Sequence, residues 1–355
     1  MQKKRLNIAV SGLNANDNPG PGVSVIRAIR ESEDFDGIIT GLSYDPLDPG
    51  IYMRGICDNA FLMPYPSAGA ENLLERIREI HVMTSLDVIV PCLDSELHAY
   101  VKISHELLAM GIQTFLPSEK GLKLRSKAHF DRLRDLGITV PRGKPIADVT
   151  AISQLDKEFS FPLMVKGQFY EAHLTYSSME AEDCLRKLSA KWGLPVVVQE
   201  FIVGEEYDVV ALGDGQGGLV GAVPMKKMQL TDKGKAWGGI TIDDATMNNF
   251  VRDIISKLKW RGPCEIEIIK SKDEGNFYLI ELNPRFPAWC YLAVGAGQNL
   301  PWATVKLALG EPVEELAPYK VGTMFLRSSV DQIYPLSEYQ EITTAGVLRR
   351  VVSNK

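Results

Sequence analysis

Short apolar runs alternate with amphipathic stretches over the first 118 residues, and this alternation constrains the fold more than any other feature of the chain. Leu6-Asn-Ile-Ala-Val-Ser-Gly12, Gly37-Ile-Ile-Thr-Gly41, Leu86-Asp-Val-Ile-Val90 and Gln113 to Leu116 read as strands. Val23 to Arg30, Glu71 to Met83 and Glu96 to Met110 read as helices between them. In the second helix Leu73, Leu74, Ile77 and Ile80 share one face. Parallel strands need crossover connections, so the pattern predicts an α/β, doubly wound, Rossmann-like parallel sheet. The loop Gly12 to Gly22, with Pro91-Cys-Leu-Asp94-Ser-Glu96, then lies at the carboxyl ends of strands, where such sheets bind ligands. The loop does not match GxGxxG, two prolines stiffen it, and no GxxxxGK[ST] occurs in the chain. A nicotinamide-dependent oxidoreductase therefore has only the βαβ pattern in its favour.

Further along, Ser126 is placed to cap a helix that runs through Leu136 and ends at Gly137. Residues 146 to 200 read as helix, strand (Phe161 to Gly167), strand (His173 to Ser177), helix (Glu180 to Lys191) and strand (Val196 to Glu200). Two long strands flank the turn Asp214-Gly-Gln-Gly217, and a helix from Asp244 to Lys259 follows. The tail beyond residue 311 shows one strand, near Gly322 to Arg327, and no evident chemistry.

A net charge of −6 argues against nucleic acid or an anionic membrane as the main partner. The five cysteines form no CxxC pair, which argues against structural zinc and a disulfide framework and suits reduced thiols. The apolar run after Lys3-Lys-Arg5 is too short and polar for a signal peptide. No stretch approaches the ~18 apolar residues that span a bilayer. A cytoplasmic location is the expectation.

The chemistry concentrates in Cys264-Glu265-Ile-Glu267-Ile-Ile269 and Tyr278-Leu-Ile-Glu281-Leu-Asn283-Pro-Arg285, two strands joined by the turn Asp273-Glu-Gly275-Asn. Pairing across the turn brings Glu267 near Glu281, with Asn283 and Arg285 just past the strand end. Two carboxylates and a carboxamide oxygen are hard ligands suited to Mg²⁺. The arginine fork suits a phosphate or an acyl phosphate. Lys166 closes the apolar strand Phe161 to Lys166, and taken alone reads as a solvated strand end; Lys127, after Ser126, reads as an exposed first-turn lysine. Val196-Val-Val-Gln-Glu200-Phe-Ile-Val-Gly204-Glu-Glu206 is either an ordinary hairpin or an adenine slot. In the second case Glu200 and the backbone of Phe201 and Ile202 form the hinge, and Glu206 takes the ribose. Lys226 and Lys227 end a strand and are either a solvated face or basic groups of a site.

The order Lys127, Lys166, Glu200-Phe-Ile, Glu206, Glu267, Glu281-Leu-Asn283-Pro-Arg285 resembles the ATP-grasp superfamily, and more closely its members similar to the carbamoyl-phosphate synthase large chain and biotin carboxylase. The resemblance covers about residues 1 to 310. It implies a pre-ATP-grasp Rossmann-like domain (1–118) and a two-lobed α+β ATP-grasp domain (119–310; small lobe about 145–200, large lobe about 201–310). Residues 311–355 form a C-terminal extension. On this pattern Lys127 and Lys166 contact the phosphates of ATP, with His173 a further candidate, while Glu200, Phe201 and Ile202 bind adenine and Glu206 the ribose. Glu267, Glu281 and Asn283 hold one or two Mg²⁺ (or Mn²⁺) ions. Arg285 faces the transferred phosphate, helped by Lys226 or Lys227, and the Asp94 and Glu96 edge helps bind the acceptor, unless those two carboxylates simply cap a helix. The glycine-rich lid of many members is shortened here to Lys166-Gly-Gln-Phe-Tyr170-Glu-Ala-His173.

The implied activity is an ATP-dependent ligase that joins a small-molecule or peptide carboxylate to an amine or thiol through an acyl phosphate. Bicarbonate activation and a non-catalytic ATP sensor are the alternatives. Resembling proteins are often dimers, which leaves a homodimer as one open arrangement, and neither nucleic acid nor membrane is expected as partner.

Overall fold

The computed structural model describes residues 5–15, 19–148, 158–167, 171–232 and 234–349. The expected helix before Phe161 falls largely on 149–157, and the lid tip falls on 168–170, so both lie outside the described residues. The chain divides into two compact units, neither continuous in sequence. One comprises Met1–Glu119, Asp208–Glu265 and Asn283–Lys355; the other comprises Lys120–Tyr207 and Ile266–Leu282.

In the first unit, β1 (Leu6–Val10), β2 (Gly37–Ser43), β3 (Asn59–Leu62) and β4 (Val88–Val90) form a parallel sheet. Its order is β15-β3-β2-β1-β4, with β15 (Val347–Arg349) antiparallel to β3. Strand alternation sends Ile8 and Val10 into one apolar cluster with Val25, Ile26 and Ile29 of α1 (Gly22–Arg30). Ala9 goes to the other side, into a cluster with Leu73, Ile77 and Ile80 of α2 (Ala70–Thr84). Helices thus cover both faces, as a parallel sheet requires. Because β2 and β3 lie on one side of β1 and β4 on the other, the strand order reverses between β1 and β4, and the loops after these two strands flank the switch point.

Three local expectations differ from what forms. The helix expected over Glu96 to Met110 is two helices, α3 (Asp94–Lys102) and α4 (Ser104–Ala109), because Ile103 leaves the helical region at φ −97°, ψ 9°. Gln113 to Leu116 pairs with the sheet only at Gln113, opposite Val88. The carbonyls of Leu116 and Thr114 instead accept from the Arg261 guanidinium, at 2.7 and 3.4 Å. Past α5 (Glu119–Leu124), in the second unit, Lys127–Leu136 is 3₁₀ rather than α-helical and Ser126 does not cap it. The Ser126 hydroxyl is taken by the Lys123 carbonyl, at 2.8 Å.

The second unit contains the antiparallel sheet β5-β8-β6-β7, with β5 (Gly143–Ile146), β6 (Leu163–Lys166), β7 (Ala172–Thr175) and β8 (Val196–Glu200). Ala181, Leu185 and Leu188 of α6 (Ser178–Trp192) pack on Leu163, Val165, Val196 and Val198. A third sheet has the order β13-β12-β9-β10-β11-β14. Its strands are β9 (Gly204–Asp214), β10 (Leu219–Leu230), β11 (Ala236–Thr241), β12 (Arg261–Ser271), β13 (Phe277–Asn283) and β14 (Met324–Leu326). The helix α7 (Ala245–Leu258) is capped by Asp244, whose carboxylate accepts from Thr246 and Met247 amides at 3.0 Å. The β12–β13 turn closes as read from the sequence, with Gly275 at φ 68°, a conformation that costs glycine little. In the tail, α8 (Tyr291–Gly295) and α9 (Leu300–Ala308) precede β14, and α10 (Leu336–Ala345) leads into β15. Among the described residues no helix is long and apolar enough to cross a membrane.

Candidate active site

Lys166 lies at the centre of the second unit's candidate residues. It ends β6, and its ammonium is held down to a pKa of about 8 by burial, an effect Lys127 reinforces and Glu281, Glu267 and Glu206 oppose. Four other residues named in the sequence analysis therefore lie within electrostatic reach of Lys166. Lys127 is tied nearby, its Nζ 3.5 Å from the Gly167 carbonyl. Three carboxylates against two ammonium groups leave a surplus of negative charge for a cation. Among the described residues no group of three His, Cys, Asp or Glu is placed to bind a metal by itself. Two carboxylates are nevertheless a set that Mg²⁺ accepts when phosphates complete its shell.

Phe201 and Ile202 are half-buried and lie between β8 and β9. Glu200, at the end of β8, is held by Arg142, whose backbone amide donates at 2.7 Å and whose Nε donates at 3.2 Å. Arg142 was not singled out from the sequence, since contact between residues 58 positions apart leaves no local pattern. Glu206 is exposed on β9. His173 is not brought together with Lys166. It pairs in register with Val165, whereas Lys166 pairs with Ala172, so strand alternation puts His173 on the opposite face. There it meets Glu171, 3.7 Å away, which also binds Lys191 of α6.

In the first unit Arg285 is gripped on two sides, with Nε 3.0 Å from Asp94 Oδ2 and Nη1 2.6 Å from Glu265 Oε2. Glu265 also accepts from Trp289 Nε1 at 2.9 Å and from Asn283 Nδ2 at 3.3 Å. Burial would raise the Glu265 carboxyl, but the charge and hydrogen bond of Arg285 and the donation from Trp289 hold it below the ordinary carboxylate range. Asn283 donates with the amino end of its amide; a cation would take the other end. Lys227 is largely buried in an ion pair with Asp208, 3.1 Å away, whereas Lys226 is exposed. Glu96 does cap α3, accepting from the Leu93 amide at 2.9 Å. It also accepts from the Cys92 amide and from the hydroxyls of Ser11 and Tyr44, so one buried carboxylate joins the loops that follow β1, β2 and β4. Nothing local in the sequence gives Glu265 a role of its own. The available signal was its spacing, two residues before Glu267 on a strand, which gives the two side chains the same face.

The fold is that of the ATP-grasp proteins. Biotin carboxylase from Campylobacter jejuni, solved as a β,γ-ATP complex, superposes with a TM-score of 0.70 at 16% identity over 90% of this chain and 74% of its own. L-amino acid ligase from Bacillus licheniformis gives 0.66 at 18% identity over 89% and 78%. In sequence, residues 194–327 match the family model described as ATP-grasp in the biosynthetic pathway with Ter operon. The carbamoyl phosphate synthase large chain of Thermoanaerobacter sp. (strain X514) is 22% identical over 240 residues, 62% of this chain and 22% of the relative. That of Clostridium botulinum is 26% identical over 213 residues, 54% and 19% respectively. The chain thus spans about a fifth of the length of the curated relatives it matches. The type these proteins share is the ATP-grasp ligase.

Proposed function

We propose that the protein is an ATP- and Mg²⁺-dependent ligase that joins a carboxylate to an amine, or a thiol, through an acyl phosphate. The observation that carries this reading is the convergence of Lys127, Glu206, Glu267 and Glu281 on Lys166. A nucleotide triphosphate needs basic groups for its phosphates, a hydroxyl acceptor for its ribose and carboxylates for its cation; all three kinds of group meet here. In this reading Lys127 and Lys166 bind the phosphates, Phe201 and Ile202 flank adenine with Glu200 fixed by Arg142, and Glu206 takes the ribose. Glu267, Glu281 and Asn283 would hold Mg²⁺, which would supply positive charge against that of the triphosphate. Arg285 stabilises charge on the phosphoryl group as it moves. The carboxylate oxygen forms a bond to the γ-phosphorus as the bond to ADP breaks. The amine nitrogen then bonds to the acyl carbon, phosphate leaves with the C–O bonding pair, and the surplus proton on nitrogen passes to solvent. His173, on the far face of its sheet, has no part in this scheme.

The test is ADP and phosphate release by the purified protein with MgATP and a pool of carboxylates and amines, bicarbonate included. Release that depends on both a carboxylate and an amine supports the ligase. Stimulation by bicarbonate alone would replace it with bicarbonate activation. Tight ATP binding with no stimulation by any acceptor would replace it with a sensor.

A further inference from the structure

Glu265 is buried, 7% exposed, and its carboxylate collects Arg285 Nη1, Trp289 Nε1 and Asn283 Nδ2. A carboxylate taken out of water is costly unless paired and hydrogen-bonded, and three donors, one of them charged, meet that need. Structural stability alone would be served equally well by any three donors. Two of these three, however, are the residues placed at the cation and at the moving phosphoryl group. Arg285 is also held through a second nitrogen, Nε, by Asp94. A planar guanidinium gripped at Nε and Nη1 has its plane fixed. An amide that donates through Nδ2 has its carbonyl end fixed as well.

We propose that Glu265 is a positioning residue that aligns Asn283 toward the cation and Arg285 toward the transferred phosphoryl group through one shared carboxylate. Glu265 touches neither substrate nor metal and acts through these two neighbours. The proposal rests on the ligase reading for the identity of the site, and it extends that reading to a residue outside the nucleotide and metal set. It accounts for the two glutamates at alternate positions on β12: Glu267 serves the cation, and Glu265, on the same face, sets the neighbouring groups.

The test compares wild type with Glu265→Gln, which keeps volume and one acceptor oxygen but loses the charge, and with Glu265→Asp, which keeps the charge but withdraws it by one methylene. Loss of such an outer partner lowers metal affinity or activity by roughly 10- to 100-fold. Mg²⁺ and Mn²⁺ affinity is measured calorimetrically on the complex with a non-hydrolysable ATP analogue, next to metal-free analogue binding. Glu265→Gln should weaken metal binding by about that factor and lower kcat similarly, with KM for ATP and metal-free analogue binding within about threefold of wild type. Glu265→Asp should move both quantities in the same direction by less, and it keeps the test open if the Gln variant does not fold. A lower melting temperature with unchanged metal affinity and kcat in either folded variant would overturn the proposal, leaving Glu265 a packing residue. If wild type shows no acceptor-stimulated ADP release, the ligase reading fails, and the metal titration still decides the role of Glu265: weaker binding upholds it and equal binding refutes it.

Discussion

Replacing Lys166 with Met removes an ammonium that the folded protein holds at a cost. Burial, with Lys127 adding to it, outweighs the attraction of Glu281, Glu267 and Glu206, so the pKa falls from its ordinary 10.5 to about 8. At about 1.4 kcal/mol per pH unit that drop corresponds to roughly 3 kcal/mol. The residue is only half-buried, and solvent screening reduces the expected gain from Lys166→Met to ~1–2 kcal/mol. The sign fixes the pH window. Between about pH 8 and 10.5 the unfolded chain binds more protons at this lysine than the folded one, so the wild type gains stability as pH rises through that range. Below pH 8 the full penalty stands. Urea unfolding without nucleotide should therefore find the variant more stable at pH 7.5 and the difference mostly gone at pH 10. The same variant should bind an ATP analogue about 10- to 100-fold more weakly, the worth of a charge-assisted hydrogen bond. A variant less stable than wild type at pH 7.5, or an advantage equal at both pH values, would refute the assignment of a desolvated, charge-clustered lysine.

Three further outcomes are expected. Glu281→Gln, a nearly isosteric loss of one charge, should lower metal-dependent ADP release by roughly 100-fold, with a melting curve close to that of wild type. Lys227→Met removes the ammonium 3.1 Å from Asp208, whose side chain is 5% exposed, and should cost roughly 1.5–3 kcal/mol in denaturant unfolding, the worth of a hydrogen bond to a charged group. Gly22→Ala would set a Cβ 2.0 Å from the Ser11 carbonyl oxygen and 2.7 Å from that of Gly12, so urea midpoints should show a loss of about 2 kcal/mol or more.

What could be read from the sequence is what short-range periodicity encodes. β8 forms over the residues expected, Val196–Glu200, because three valines in succession bounded by Pro195 and a turn admit few alternatives. The face of α2 is nearly right as well: Leu73, Ile77 and Ile80 are buried, and Leu74 lies at the margin. What escaped depends on partners distant in sequence. β15 exists because β3 offers it an edge 286 residues earlier in the register Val347↔Phe61, a relation absent from either segment alone. The face of His173 is likewise decided by its pairing with Val165, not by its own neighbours in the chain. In the candidate site, the carboxylates and lysines could be named from order and spacing. That Arg285 leans on Asp94 and Glu265, and Glu200 on Arg142, could not, since those bonds join separate parts of the chain.

The β3–β15 pairing carries a consequence for synthesis. A ribosome releases β1 to β3 early, yet the outer edge of that sheet stays open until Val347–Arg349 emerges. While the residues between Leu62 and Val347 are made, the nascent protein displays an unpaired strand edge of the kind that recruits foreign strands. β15 seals the edge of a sheet whose other strands come from far earlier in the chain, so a ribosome that stalls between β3 and β15 leaves that sheet with an adhesive flank.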